Sequence, residues 1–244
     1  MERKKNLFVV FLLTCWVTAS AQNESEIYKA YISNNMAMWK KIIDKMENEN
    51  EKSNAMRITL LNYQYGYIGW CIGQEKADTA KKYIELASNH ISILEKNNYK
   101  PAITYAYKSA FVGFNIGLYP YKAPFIGLNS KKFANRSVNL DINNALGYVQ
   151  LGNIEFYMPS IFGGSKETAI KYYLKALKIM ENGSVDTTYD WNYLSLLATV
   201  INAYIEIEDY AKAKEYCLKT LKTEPDFDWV KNELYPKTLK YLKQ

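Results

Sequence analysis

Histidine is almost missing from this 244-residue sequence: His90 is the only one, and the cysteines are three, Cys15, Cys71 and Cys217. With no Cys-x-x-Cys and no His-Glu-x-x-His, a zinc site lacks its ligand pattern. A Ser-His-Asp or Cys-His catalytic group would have to use His90, and no Gly-x-Ser-x-Gly elbow presents a serine to it. His90 is expected to be a partly exposed residue of a helix. Gly163-Gly164-Ser165-Lys166 lacks both the spacing and the preceding strand of a phosphate-binding loop. Its plain reading is a turn followed by a Ser165 cap on a helix starting at Lys166, with Glu167 near the positive end. Asp186 and Asp190, beside Trp191, fit linker and cap roles. The sequence therefore reads as non-enzymatic, with no cofactor and no metal.

Long apolar runs are missing as well, once the first 21 residues are passed. The most apolar later stretch, 193–205, is interrupted by Ser195, Thr199 and Asn202 and is too short to span a bilayer. No window alternates apolar and polar over a strand length, so no sheet is expected. A strong charge imbalance is missing too. The net charge is +6, and removing Arg3, Lys4, Lys5 and Glu2 with the leader leaves +4. The lysines alternate with acids, so there is no concentrated basic face of the kind that binds nucleic acid.

The first 21 residues have the form of an export signal. Arg3, Lys4 and Lys5 precede the apolar stretch 7–17, and Ala19-Ser20-Ala21 supplies small residues for cleavage before Gln22. The alternative is a lipoprotein anchored through Cys15. Thr14 rather than a small residue precedes that cysteine, and Trp16-Val17 continue the apolar stretch. The expectation is an exported protein, periplasmic or secreted, with residues 22–244 forming one helical domain.

Apolar residues recur at three- and four-residue steps along most of that domain. The pattern predicts a helix over 27–46, a polar turn over 47–54, and helices over 55–72 and 76–94. Pro101 opens a further helix, where its missing N–H costs nothing. That helix runs to about Leu118, Pro120 and Pro124 then interrupt the chain, and a helix follows over 131–140. In the last third, Leu197, Val200, Ile201 and Tyr204 fall at the W-x2-L-G-x2-Y spacing. Ala213, Cys217 and Pro225 follow where a second helix needs a small residue, an aromatic and a terminating proline. Tyr148, Leu151 and Gly152, with Ala169, Tyr173 and Ala176, repeat the pattern around an extra five residues within 159–165.

These residues resemble the tetratricopeptide repeat family. The candidate repeats are 61–94, 111–144, 145–181 with its loop insertion, and 194–227, closed by a polar C-terminal helix over 228–244 that Pro236 should kink or break. The resemblance implies an all-α, right-handed superhelix of helix pairs whose inner helices form a concave groove for a peptide or protein segment. Counting within repeats places Tyr65, Asn115, Tyr119, Asn153, Phe156, Tyr157, Asn202 and Glu206 on that groove. The asparagines resemble those by which peptide-binding members hold an extended backbone. The lysines of a carboxylate clamp are absent at the matching positions, apart from Lys122. The segment Pro159-x-x-Phe162-Gly163-Gly164, followed by Ala169, also resembles a loop in periplasmic repeat proteins that accompany TRAP-type solute transporters. That likeness implies the alternative of an accessory holding a small apolar ligand. Cys71 and Cys217 occupy core positions of separate repeats and are expected to stay unpaired. Most of the 22 tyrosines fall on apolar stripes and should pack in the helix seams.

Overall fold

The computed structural model describes residues 22–183 and 186–243; the proposed export signal, 1–21, lies outside them. The described residues are all-α, without a strand. Eleven helices follow one another: α1 (22–32), α2 (Met36–Glu47), α3 (Asn54–Gly73), α4 (Ala77–Lys96), α5 (Pro101–Leu118), α6 (Ala123–Leu140), α7 (Ala145–Tyr157), α8 (Lys166–Asn182), α9 (Trp191–Glu206), α10 (Tyr210–Thr223) and α11 (Tyr235–Tyr241). From α3 to α10 consecutive helices pack as pairs, α3 with α4, α5 with α6, α7 with α8 and α9 with α10. The inner helices α3, α5 and α7 also touch directly, whereas α9 joins the row through α8. None of the described helices is long and apolar enough to cross a membrane.

Local chemistry sets the helix starts. The side chains of Ser53, Asn144, Ser165, Asp190 and Asp209 accept backbone N–H groups of the first turns of α3, α7, α8, α9 and α10, satisfying donors that a helix leaves orphaned. Pro101 opens α5 as the sequence suggests.

Three expectations need correction. The helix expected over 27–46 is two helices, because Asn34 takes φ 52° and Asn35 caps α2 by accepting from the Met38 N–H. Helix α6 starts at Ala123 rather than 131, since Pro124 sits in its first turn, where no N–H is needed. Near the C-terminus, Pro236 does not break the chain. A single wide turn at Val230–Leu234 precedes it, and the backbone runs on into α11.

The first two helix pairs also depart from a 34-residue frame. Helices α3 and α4 have 20 residues each and α5 and α6 have 18 each, against 13 and 17 for α7 and α8 and 16 and 14 for α9 and α10. Residues 61 and 111, the expected starts of the first two repeats, consequently lie inside α3 and α5.

The two ends of the stack meet. Trp39 of α2 is fully buried, and its Nε1–H donates to the Tyr63 carbonyl of α3 at 2.9 Å. The same ring stands edge-on to Trp191 of α9, with centroids 4.9 Å apart. Tyr31 of α1 packs against Trp39, Trp191 and Phe227, and Tyr28 donates from its hydroxyl to Glu224 at 2.7 Å. Helices α1 and α2 thus bridge the first inner helix, the last inner helix and the C-terminal segment. Gly66 permits this closure: a Cβ there would lie 2.7 Å from Trp39 Cζ2 and 2.8 Å from Trp191 Cη2. Gly152 does the same for the third pair, with Tyr173 lying where a Cβ would be.

Candidate functional site

A cavity of about 780 Å³ opens along the first halves of the inner helices. Helix α3 contributes Ile58, Asn62, Tyr63 and Tyr65; α5, Ile103 and Tyr107; α7, Leu146, Val149 and Asn153; and α9, Trp191, Ser195, Leu196 and Thr199. Met180 of α8 and Glu24 of α1 complete the walls, so the bridging N-terminal helix reaches the site itself. Each inner helix begins near the cavity because caps and turns place those first turns side by side. Lys100, in a left-handed conformation with φ 42°, starts α5, and Asn144 and Asp190 start α7 and α9.

The walls are mainly aliphatic and aromatic. Tyr65 stacks on Phe114 with centroids 5.4 Å apart and meets Tyr107 edge-on at 6.2 Å. Burial pushes the Tyr63, Tyr65 and Tyr107 phenols above their ordinary range, which keeps them neutral. Charged groups are few and lie among the polar lining: Glu24, Asp141 and Asp190 against the single cation Lys100. Among buried side-chain polar atoms described, Gln64 Oε1 and Trp191 Nε1 lack a hydrogen-bond partner, and Trp191 belongs to the cavity wall.

Of the groove residues named from sequence, Tyr65 and Asn153 line this cavity and the others do not. The Asn153 amide is engaged on both sides, donating to Gln150 Oε1 at 3.3 Å and accepting from the Tyr173 hydroxyl at 2.9 Å. Gln150 in turn donates to the Tyr65 hydroxyl at 3.3 Å. Asn115 and Asn202 turn their amide N–H groups back on the carbonyls of Phe111 and Ala198, one turn earlier in their own helices. Tyr119 lies beneath Lys122 and Lys81, and Phe156 beneath Lys166. Tyr157 and Glu206 are exposed. The other six lie toward or just past the C-terminal ends of α5, α7 and α9, beyond the cavity. The counting missed Trp191, Tyr107, Tyr63 and the aliphatic wall. The available signal was the Asp190 cap, which places Trp191 in the first turn of an inner helix.

His90 departs from its expected partial exposure. It is buried, with Nε2 2.8 Å from Glu47 Oε1 and Nδ1 2.9 Å from Arg57 Nη1. The Arg57 N–H donates to Nδ1, so the ring's own N–H sits on Nε2 and donates to Glu47. Gln64 donates to the same carboxylate oxygen. Burial pushes Glu47 up, but the bonds from His90 and Gln64 and the charge of Lys52 outweigh it and hold the carboxyl below its usual range. The cluster ties the end of α2 to α3 and α4, away from the cavity lining. It anchors the fold. Cys71 and Cys217 are both buried free thiols.

No family model matches this sequence, and neither does any curated protein. Among solved structures, the HusA haemophore from Porphyromonas gingivalis is similar, with a TM-score of 0.59 and 15% identity over 76% of this chain and 93% of that one. That likeness is one of fold.

Proposed function

We propose that this chain is an exported, non-enzymatic binding protein that carries a planar, largely apolar ligand of the porphyrin class in the cavity between its inner helices. One observation carries the reading: a cavity of about 780 Å³ walled by Ile58, Ile103, Leu146, Val149, Met180 and Leu196 together with Tyr65, Tyr107 and Trp191. That volume lies within the ~300–1,000 Å³ of sites that enclose small molecules. The haemophore of similar fold supports the choice of ligand class, and the leader-like first 21 residues support export. The phenols around the cavity are held neutral by burial, so they offer a ring face rather than a phenolate to an iron centre. Stacking and apolar burial then supply the affinity.

The competing occupant is an extended peptide in the groove. It fits less well, because the amides of Asn153, Asn115 and Asn202 that would hold its backbone already serve internal bonds.

Titration with ferric haem and with metal-free protoporphyrin, followed by absorbance and by tryptophan quenching, tests the reading. Both should bind saturably at one site, with affinities within about ten-fold of each other, a gap of ~1.4 kcal/mol. Val149→Trp, at a half-buried wall position, should fill the cavity and abolish binding without loss of helicity. Failure of both porphyrins to bind a folded protein would reject the proposal. Tight binding of haem alone would show that a metal–ligand bond, not the apolar wall, holds it.

A further inference from the structure

Six large apolar side chains stand out in water near the C-terminal ends of α5 and α7: Tyr121 on the α5–α6 connection, Phe125 and Leu128 in the first half of α6, Tyr157 at the end of α7, and Ile161 and Phe162 on the α7–α8 connection. Their exposures run from 70% for Tyr121 to 82% for Ile161, so they are almost free of the fold. The two connections sit at one end of the stack. Lys131, one turn beyond Leu128, donates to Glu155 at 3.2 Å, and Glu155 lies two residues before Tyr157. None of the six lines the cavity.

The same end is basic, a local excess that contradicts the expectation of lysines alternating with acids throughout. Residues 119–140 contain Lys122, Lys131, Lys132 and Arg136 and no acid, and residues 156–165 carry no charge. Along α6, Phe125, Leu128, Lys132 and Arg136 follow at three- and four-residue steps, so the exposed face is apolar at its start and cationic beyond. Of the acids nearby, Glu155 is paired with Lys131, while Glu167 accepts from the Ser165 hydroxyl and keeps its charge.

We infer that this end of the protein docks reversibly on an anionic lipid surface, with the six apolar side chains entering the interface and Lys122, Lys132 and Arg136 meeting the headgroups. Separate projecting fingers with a basic collar suit the boundary between headgroups and acyl chains. Long cationic stems reach back to the headgroups while the rings go deeper. A protein partner would need a matching recess for two loops. The charge complementarity favours the lipid.

The test is co-sedimentation with vesicles of phosphatidylglycerol mixed with phosphatidylcholine, beside vesicles of phosphatidylcholine alone. Binding is expected to the mixed vesicles, to weaken as salt rises, and to be nearly lost with phosphatidylcholine alone. Phe125→Ser with Leu128→Ser, and separately Ile161→Ser with Phe162→Ser, should each lower affinity for the mixed vesicles at least about ten-fold, since buried Phe, Leu and Ile side chains contribute strongly at an apolar boundary. All four positions are exposed, so helicity should be unchanged, and porphyrin titration of the same variants should be unaltered. That last readout separates this inference from the proposed cavity. Absence of sedimentation with the mixed vesicles overturns it. So does equal binding to both compositions, or self-association that the serine variants abolish, which would make a second copy the occupant.

Discussion

Replacing Gly66 with alanine sets two magnitudes against each other. In an unconstrained helix interior the change stabilises by ~1 kcal/mol, because alanine loses less backbone entropy than glycine. Here the added methyl would lie 2.7 Å from Trp39 Cζ2 and 2.8 Å from Trp191 Cη2, well inside contact distance. Neither ring has room to withdraw. Trp39 is fully buried and holds the Tyr63 carbonyl through its Nε1–H, and Trp191 is packed edge-on against Trp39 and Tyr31. Overpacking of this kind costs ~1–3 kcal/mol, and losing the buried indole bond adds ~1–3 kcal/mol if Trp39 is pushed out. After the helix-propensity gain, the expected net is a loss of up to about 2 kcal/mol if Trp39 keeps its place and of about 1–5 kcal/mol if it is pushed out. For a chain of this size each kcal/mol moves Tm by roughly 2–4 °C. The measurement is thermal unfolding by circular dichroism, with tryptophan emission recorded below the transition. A Tm lowered by several degrees with a red-shifted emission is expected. A Tm raised by a few degrees would refute the reasoning, because it would mean that the two rings are not held against α3 and the ends of the stack are not closed.

Three further outcomes are expected. Glu47 is held below the usual carboxylate range, so its bonds add stability that is complete above that range and is lost as pH falls through the depressed folded value; denaturant midpoints against pH should fall less steeply at acid pH in Glu47→Gln than in the wild type. Burial pushes the Cys217 thiol up to about 11 and raises Cys71 as well, so alkylation of the folded protein at mildly alkaline pH should leave both intact, and mass spectrometry after unfolding should find both modified as free thiols. The connection holding Ile161 and Phe162 projects from the fold, so replacing residues 159–164 with a short turn should leave far-UV helicity unchanged; global unfolding would place Phe162 in the core.

The helices were legible because their signals are local. The apolar period, the Ser165 and Asp190 caps and the Pro101 start each act within one turn of chain, and α5, α7, α8, α9 and α10 follow them closely. The break at Asn34 was not legible. It rests on a left-handed residue and an Asn35 cap inside an otherwise periodic run. The two serines on which α5 and α6 meet, Ser109 and Ser130, bond across their helices at 3.1 Å, and a periodic pattern reads them as polar interruptions. His90 was misread for a similar reason. Its burial depends on Glu47, 43 residues earlier, and Arg57, 33 residues earlier, and a lone polar residue on a helix gives no sign of partners that distant.

The site was harder to read because a repeat frame assigns an inner face from each helix pair by itself, whereas this cavity is made by closure. Tyr65 and Asn153 were found because they face inward wherever the stack ends. Trp191 stands at the cavity because Tyr31, Trp39 and Phe227 gather around it from both ends of the chain, and Glu24 reaches the wall only because α1 folds back across the stack. An open groove exposes its inner faces to an extended ligand over their whole length. Here the ends are bridged, and the cavity, open on one side, lies along the first halves of the inner helices, where aliphatic and aromatic side chains outnumber amides. The asparagines bond within the fold, Asn153 to Gln150 and Asn115 and Asn202 to the carbonyls of Phe111 and Ala198, and only Asn153 lies at the cavity.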